Sequence, residues 1–169
     1  YHIIMPELTA DSYGSEVFLA VNGTFAGYMV ISDTIKSDAV SAIRKLKALG
    51  LHSVMLTGDS KSGADAVAAA TGIDEVHAKL LPEGKLNELG KIRNKYGAVM
   101  FVGDGINDAP VLAGADVGAA MGTGADAAIE AADVVFMTSS TEAIPQAINI
   151  SKATNRIAIQ NVVFAPVSY

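Results

Sequence analysis

The spacing of apolar residues changes period along this chain, and each change marks an element. Glu16 to Val21 and Thr24 to Ile31 alternate or run apolar on either side of Asn22-Gly23, which predicts a β-hairpin. From Ser37 the apolar positions fall at Val40, Ile43, Leu46 and Leu49. That helical period has Ser37 as its expected N-cap and Gly50 as its stop. Ser53 to Leu56 reads as a short buried strand, Lys61 to Ala70 as a helix closed by Thr71-Gly72, and Glu75 to His77 as a second short strand. Pro82 opens a helix running to Tyr96, with Leu86, Leu89 and Ile92 on one face. Val99–Val102 follows as a strand, then a short helix at Asn107–Ala113, a strand at Val117–Met121, a small helix at Ala125–Ala131 and a strand at Val134–Met137. A last helix is expected from about Thr141 to Gln160, with Pro145 in its first turn. Short strands alternating with helices predict βαβ units and a parallel sheet, so the fold class is α/β with an N-terminal hairpin.

Composition narrows the partners. Twelve Lys and Arg against 18 Asp and Glu give a formal charge of −6, which argues against a nucleic-acid partner. Half of the 169 residues are apolar, enough for one sizeable core. No cysteine means no disulfide and no thiolate metal site, in keeping with a reducing compartment. No run reaches the roughly 18–20 apolar residues of a membrane span. The apolar stretch Val162–Val167 reads either as a frayed end or strand, or as the opening turns of a membrane helix.

The candidate chemistry sits where strands end. Ligands in parallel sheets bind at the carboxyl ends of the strands. Gly103-Asp104-Gly105-Ile106-Asn107-Asp108 follows one strand directly and packs two carboxylates and an amide into five residues. Helix capping accounts for one such side chain, not three. Adjacent carboxylates repel unless a cation lies between them, and hard oxygen donors on a glycine-rich turn suit Mg²⁺ and phosphate. Thr57-Gly58-Asp59 follows another strand and offers a hydroxyl and backbone N–H groups, a weak phosphate-cradle signal by itself. Lys85, in the first turn of the helix after Pro82, is a candidate charge clamp, with Lys79 as its neighbour in sequence. Asp33 lies just past the hairpin and reads equally as a helix-start residue. Gly118, Gly122 and Gly124 match no phosphate-loop spacing and read as packing and turn positions. His52 and His77 read as structural.

The ordered set Asp33, Thr57-Gly58-Asp59, Pro82-x-x-Lys85 and Gly103-Asp104-Gly105-x-Asn107-Asp108-Ala109-Pro110 resembles the haloacid-dehalogenase-like phosphorylation domain of P-type ATPases. Ala119–Asp133 and Ser151-Lys152-x-Thr154-Asn155-x-Ile157 narrow the likeness to the heavy-metal-transporting branch, with zinc/cadmium/lead pumps and copper pumps as the near groups. The resemblance implies a Rossmann-like parallel sheet flanked by helices. It implies Mg²⁺-dependent transfer of the ATP γ-phosphate to an aspartate, followed by hydrolysis of that aspartyl phosphate. Asp104 would be the Mg²⁺ ligand, with Asn107 and Asp108 supporting the metal and phosphate. Thr57 and Gly58 would bind the phosphoryl group, Lys85 would neutralise its charge, and Asp33 and Asp59 would help place the nucleotide.

One departure from the family pattern shapes every expectation. The nucleophile's Asp-Lys-Thr-Gly-Thr segment does not occur in this chain. The expected organisation is therefore the end of a nucleotide-binding domain and its hairpin at 1–32, and the C-terminal part of a phosphorylation domain at 33–160. A membrane-helix connection or frayed tail would occupy 161–169. The nucleophile strand is central in the family's sheet. Its absence is expected to leave two strand edges open, to be paired with another chain, including a second copy of this one, or removed by local rearrangement. The expected partners are the nucleotide-binding, actuator and membrane domains of a pump, at the cytoplasmic face of a membrane. The transported cation would bind elsewhere. The competing readings are a free-standing phosphatase of the same superfamily and a non-catalytic module that binds nucleotide or a partner. The first would require an Asp-x-Asp pair after a first strand, and none is found.

Overall fold

The computed structural model describes residues 15–31, 34–122 and 124–164. It opens with the expected hairpin, β1 (Ser15–Val21) and β2 (Thr24–Ile31), antiparallel with a register shift between Leu19 and Ala20. Asn22 and Gly23 both take positive φ, 51° and 80°, the backbone that a two-residue turn between right-twisted strands needs. Asp33 and Thr123 lie outside the described residues, as do His2 and the segment before the hairpin.

The remaining elements follow the predicted order. They are α1 (Ala39–Ala48), β3 (Val54–Leu56), α2 (Lys61–Thr71), β4 (Glu75–His77), α3 (Pro82–Tyr96) and β5 (Met100–Gly103). A single 3₁₀ turn (Ile106–Asp108) then leads into α4 (Ala109–Gly114), β6 (Val117–Met121), α5 (Asp126–Glu130), β7 (Val134–Phe136) and α6 (Ala143–Phe164). Three helix ends behave as their residues require. Ser60 caps α2 by accepting from the Gly63 N–H at 3.2 Å, and Gly72 closes it at φ 84°. Leu51 N–H reaches back to the Leu46 carbonyl at 3.1 Å past Gly50, ending α1. Ser37 is not the N-cap of α1; Asp38 holds that position, and its carboxylate serves a different helix. Pro145 costs α6 nothing because first-turn N–H groups need no intrahelical partner. The helix runs on to Phe164, four residues beyond the expected end.

The parallel strands do not form one continuous sheet. β3 pairs with β4, and β5-β6-β7 form a second, three-stranded sheet. β6 is the central strand of the larger sheet and is buried on both faces. Ala120 packs with Leu112 and Ala128 from α4 and α5 on one side. Ala119 and Met121 pack with Phe136, Ile144 and Ala147 on the other, under α6. The α4 backbone comes so close to β6 that a Cβ at Gly118 would run into the Leu112 carbonyl.

A recurring device aligns the strands at their starts. Asp74, Asp116 and Asp133 each stand immediately before a strand, and each carboxylate accepts an N–H within one residue of where the neighbouring strand starts. These bonds are to Ser53 at 3.0 Å, Val99 at 2.8 Å and Gly118 at 2.8 Å. The carbonyl of Ser53 in turn accepts from Asp74 and Glu75, and that of Val99 from Asp116 and Val117. A side chain thereby completes the ladder where backbone pairing ends.

Candidate active site

β5 delivers the carboxylate turn. After Gly103 the chain passes Asp104 and Gly105 into the 3₁₀ turn, where the Asp108 carboxylate folds back toward the Gly105 N–H at 3.4 Å. Gly103 is required by proximity: a Cβ there would lie 2.8 Å from Asp108 Cβ and 3.1 Å from the Phe101 ring. Asp104 and Asn107 are exposed at the mouth and Asp108 is half-buried. From behind, Gly124 supports the turn. Ala125 N–H donates to the Asp104 carbonyl at 2.8 Å, and a Cβ at Gly124 would collide with that same carbonyl. The glycines at 122 and 124 are thus packing positions, as their spacing suggested.

Lys85 enters from the first turn of α3. Its Nζ lies 2.8 Å from Asp108 Oδ1, with both side chains largely buried, at 17% and 14% exposure. A charge-assisted bond in a partly desolvated position holds the ammonium at the turn. Sequence reasoning assigned Lys85 and Asp108 separate roles and missed that each is the other's partner. Nothing in a spacing of 23 residues signals it. Lys79 is exposed, with φ 58°, and engages through its backbone: its N–H donates to the Asp59 carbonyl at 2.9 Å.

The Thr57-Gly58-Asp59 turn is tied to the same end of the molecule. Leu80 N–H donates to the Thr57 carbonyl at 3.0 Å, immediately before α3, which carries Lys85. Thr57 Oγ1 donates to Asp59 Oδ2 at 2.6 Å and accepts from the Asp59 N–H at 3.1 Å, so Asp59 orients the hydroxyl. Gly58 leaves room for the Leu80 carbonyl, which a Cβ would meet at 3.3 Å. The structure thus links Thr57, Gly58 and Asp59 to Lys85, Asp104, Asn107 and Asp108 through the start of α3.

Between β3 and β5 lies a cavity of about 610 Å³. Val54, Met55 and Leu56 line one side and Met100, Phe101 and Val102 the other. Ile43 and Ile144 lie on one face, Leu89 and Ile92 on the opposite face, and Lys85, Asp104 and Asp108 close the end where β5 stops. The walls are apolar and the end is charged. Among the described residues neither facing strand edge has a backbone partner in this gap.

The donor set fits Mg²⁺. Mg²⁺ is held by one or two carboxylates and keeps its other positions for water and phosphate oxygens. Asp104 and Asp108 supply that number. Among the described residues no three His, Cys, Asp or Glu side chains converge to make a fuller protein cage. His52 and His77 are each engaged by neighbouring side chains. His52 stacks on Tyr96 at 4.2 Å, and His77 lies between Glu75 and Glu88 at 3.0 and 3.3 Å.

Comparison with known proteins shows the family. The family of haloacid dehalogenase-like hydrolases matches residues 5–116, and a second family of the same description matches 85–148. A zinc-transporting ATPase of Synechocystis is 51% identical over 161 residues, covering 93% of this chain and 22% of that protein. A copper-transporting ATPase of Rhizobium meliloti is 45% identical, covering 96% of this chain and 20% of that protein. A crystal structure of a zinc-transporting PIB-type ATPase in an E2·Pi state superposes with a TM-score of 0.80 at 38% identity, over 90% of this chain and 25% of that one. The chain spans about a fifth of the length of the curated relatives it matches.

Proposed function

The chain belongs to the haloacid dehalogenase-like hydrolases, and from that premise we propose that it handles Mg²⁺ and phosphate within an ATP-driven heavy-metal cation pump. The observation that carries this reading is the gap between β3 and β5: an apolar, strand-shaped slot whose charged end is built from Lys85, Asp104 and Asp108. A strand entering there with its carboxyl end toward Asp104 would bring its last residue to the charged end. In the pump that strand carries the Asp-Lys-Thr-Gly-Thr nucleophile that this chain lacks.

In this reading Asp104 holds Mg²⁺, with Asp108 and Asn107 supporting it. Bound Mg²⁺ supplies a positive charge for the phosphoryl oxygens. Gly58 receives the phosphoryl group with its backbone N–H, and Thr57 with a hydroxyl that turns from Asp59 Oδ2 to donate to it. Lys85 places an ammonium where charge develops on the transferred group, and its bond to Asp108 pre-positions it. Asp33 and Asp59 help place ATP. Residues 1–32 close a nucleotide-binding domain, 33–160 are the C-terminal part of the phosphorylation domain, and 161–169 are the start of a membrane-helix connection or a frayed tail, at the cytoplasmic face of a membrane. Among the described residues no helix is long and apolar enough to cross a membrane.

Three experiments test the reading. Incubated with Mg²⁺-ATP, this chain is expected to incorporate no hydroxylamine-labile phosphate, and to gain it once an Asp-Lys-Thr-Gly-Thr segment is restored upstream. Incorporation by the chain as it stands would identify a different nucleophile and overturn the assignment. Asp104→Asn is expected to weaken Mg²⁺ binding by calorimetry with unfolding unchanged. Normal phosphoenzyme in the whole pump carrying that substitution would remove Asp104 from its role. Should the open edges pair between copies, sedimentation would show a dimer that dissociates when the restored segment is present.

A further inference from the structure

The residues assigned to phosphoryl handling stand on two half-sheets that share no strand-to-strand bond among the described residues. Thr57-Gly58-Asp59 follows β3, and Asp104, Asn107 and Asp108 follow β5. α3 touches both halves and carries Lys85. Its fastening differs on the two sides. Toward the β5 half it is held by packing and charge together. Leu86 and Leu89 crowd Gly114, Arg93 reaches Asp116 at 2.9 Å and the Gly114 carbonyl at 2.6 Å, and Lys85 reaches Asp108.

Toward β4 the fastening is polar. Glu75 and His77 are two apart on one strand, so their side chains share a face. Glu75 accepts from the Tyr96 hydroxyl at 2.6 Å and from Lys95 Nζ at 3.1 Å, both in the last turn of α3. The His77 ring lies between two carboxylates, with Nε2 3.0 Å from Glu75 Oε1 and Nδ1 3.3 Å from Glu88 Oε2. Carboxylates on opposite nitrogens clamp the ring and do not converge on an ion. Glu88 stands one turn beyond Lys85 on the same side of α3, and its side chain is 16% exposed. His77 also reaches the other way through its backbone, where its carbonyl accepts the Thr57 N–H at 3.0 Å. One residue therefore touches both the strand end that leads into the Thr57 turn and the helix that carries Lys85.

We propose that His77 is a positioning residue for Lys85: clamped between Glu75 and Glu88, it fixes α3 against β4 and sets the ammonium relative to the Thr57-Gly58-Asp59 turn. The phosphoryl role of that placement rests on the function proposed above; the placement itself does not. Without the ring, Glu88 keeps only Lys91, 2.6 Å away on its own helix. α3 then stays tied to Glu75 through Tyr96 and Lys95 but is released from β4 next to Lys85, so it pivots about its far end. A displacement of about 1 Å at a reacting group is enough to slow chemistry up to a hundredfold.

Three variants test this. His77→Ala removes the ring, Glu88→Ala removes one side of the clamp, and Glu88→Gln keeps an oxygen for the ring to donate to. Placement is read in this chain by the ¹⁵N resonance of Lys85 Nζ and by hydrogen exchange at the Lys79 and Leu80 N–H groups, which bond the Asp59 and Thr57 carbonyls just before α3. Both alanine variants are expected to move the Nζ resonance and to speed those two exchanges about tenfold, while the Val99 N–H, held by Asp116, stays as it was. Glu88→Gln is expected to keep the unsubstituted values. In the whole pump both alanine variants are expected to lower kcat for phosphoenzyme formation about tenfold with KM for ATP unchanged, and Glu88→Gln to restore it. Glu88→Ala keeps the test decisive if His77→Ala fails to fold. An unmoved Lys85 resonance with unchanged exchange in the alanine variants would overturn the placement, and a normal kcat in both would overturn its role in the reaction. Absence of phosphoenzyme in the unsubstituted pump would sink the functional reading alone, and the Lys85 resonance would still decide whether His77 positions it.

Discussion

Adding one methyl group at two glycines should change stability in opposite directions. At Gly103 the new Cβ would sit 2.8 Å from Asp108 Cβ, 3.1 Å from Asp108 Oδ2 and 3.1 Å from the Phe101 ring. Asp108 Cβ is bonded to the backbone and cannot swing aside as a side-chain tip could. Relief requires the turn to move, and moving Asp108 stretches its 2.8 Å bond to Lys85. Overpacking of this kind costs about 1–3 kcal/mol. Gly90 lies inside α3, and a Cβ there meets nothing within 4 Å. Gly90→Ala removes unfolded-chain freedom and improves helix propensity, a gain of about 0.5–1 kcal/mol. Urea unfolding followed by circular dichroism reads both. With a slope of about 2 kcal/mol per molar, Gly103→Ala should lower the midpoint by about 0.5–1.5 M and Gly90→Ala should raise it by about 0.25–0.5 M. Gly103→Ala should also weaken Mg²⁺ binding, and Gly90→Ala should not. A Gly103→Ala protein with an unchanged midpoint would refute the claim that close approach requires glycine there.

Two further outcomes follow from packing and charge. Leu89 is 2% exposed, and Leu89→Ala should cost about 2–5 kcal/mol in the same assay; Leu81, 76% exposed, should change by less than about 0.5 kcal/mol when truncated. An equal effect at both positions would contradict the assigned core. The Tyr96 hydroxyl, then Lys95 and His77, lower the Glu75 carboxyl to about 2, and the Lys47 ammonium, then Ser53, hold Asp74 well below the carboxylate range. Folded-state values below the unfolded ones mean stability that is fully present above about pH 4.5 and is lost as pH falls toward 2. Asp74→Asn and Glu75→Gln should flatten the acid limb of a stability-against-pH curve, and a limb as steep as in the unsubstituted chain would argue against both contacts.

Most elements were legible because their signals are local. Asn22-Gly23 announces its turn, Pro82 its helix start, and Gly72 its helix end. β4, α3 and β6 occupy the predicted residues. The candidate site residues stand out in the sequence as an ordered set of motifs. Their contacts were not. The Lys85–Asp108 bond joins residues 23 apart, and the cap supplied by Asp38 serves a helix 104 residues away. Ser37 looked like the cap of α1 because local reading offers a helix only its own neighbours. The three aspartates before β4, β6 and β7 were visible in sequence, yet their bonds depend on which strand lies alongside. The split of the sheet matches the expectation drawn from the absent Asp-Lys-Thr-Gly-Thr segment: among the described residues, β3 and β5 each keep an edge with no backbone partner.

That gap also makes the chain's stability a matter of mass action. Any segment that pairs with β3 and β5 binds the folded state and has nothing to bind in the unfolded one, so its concentration enters the folding equilibrium directly. At a hundred times its dissociation constant, such a segment adds about 2.7 kcal/mol. The melting temperature of this chain is then a titration curve for any strand that fills the gap.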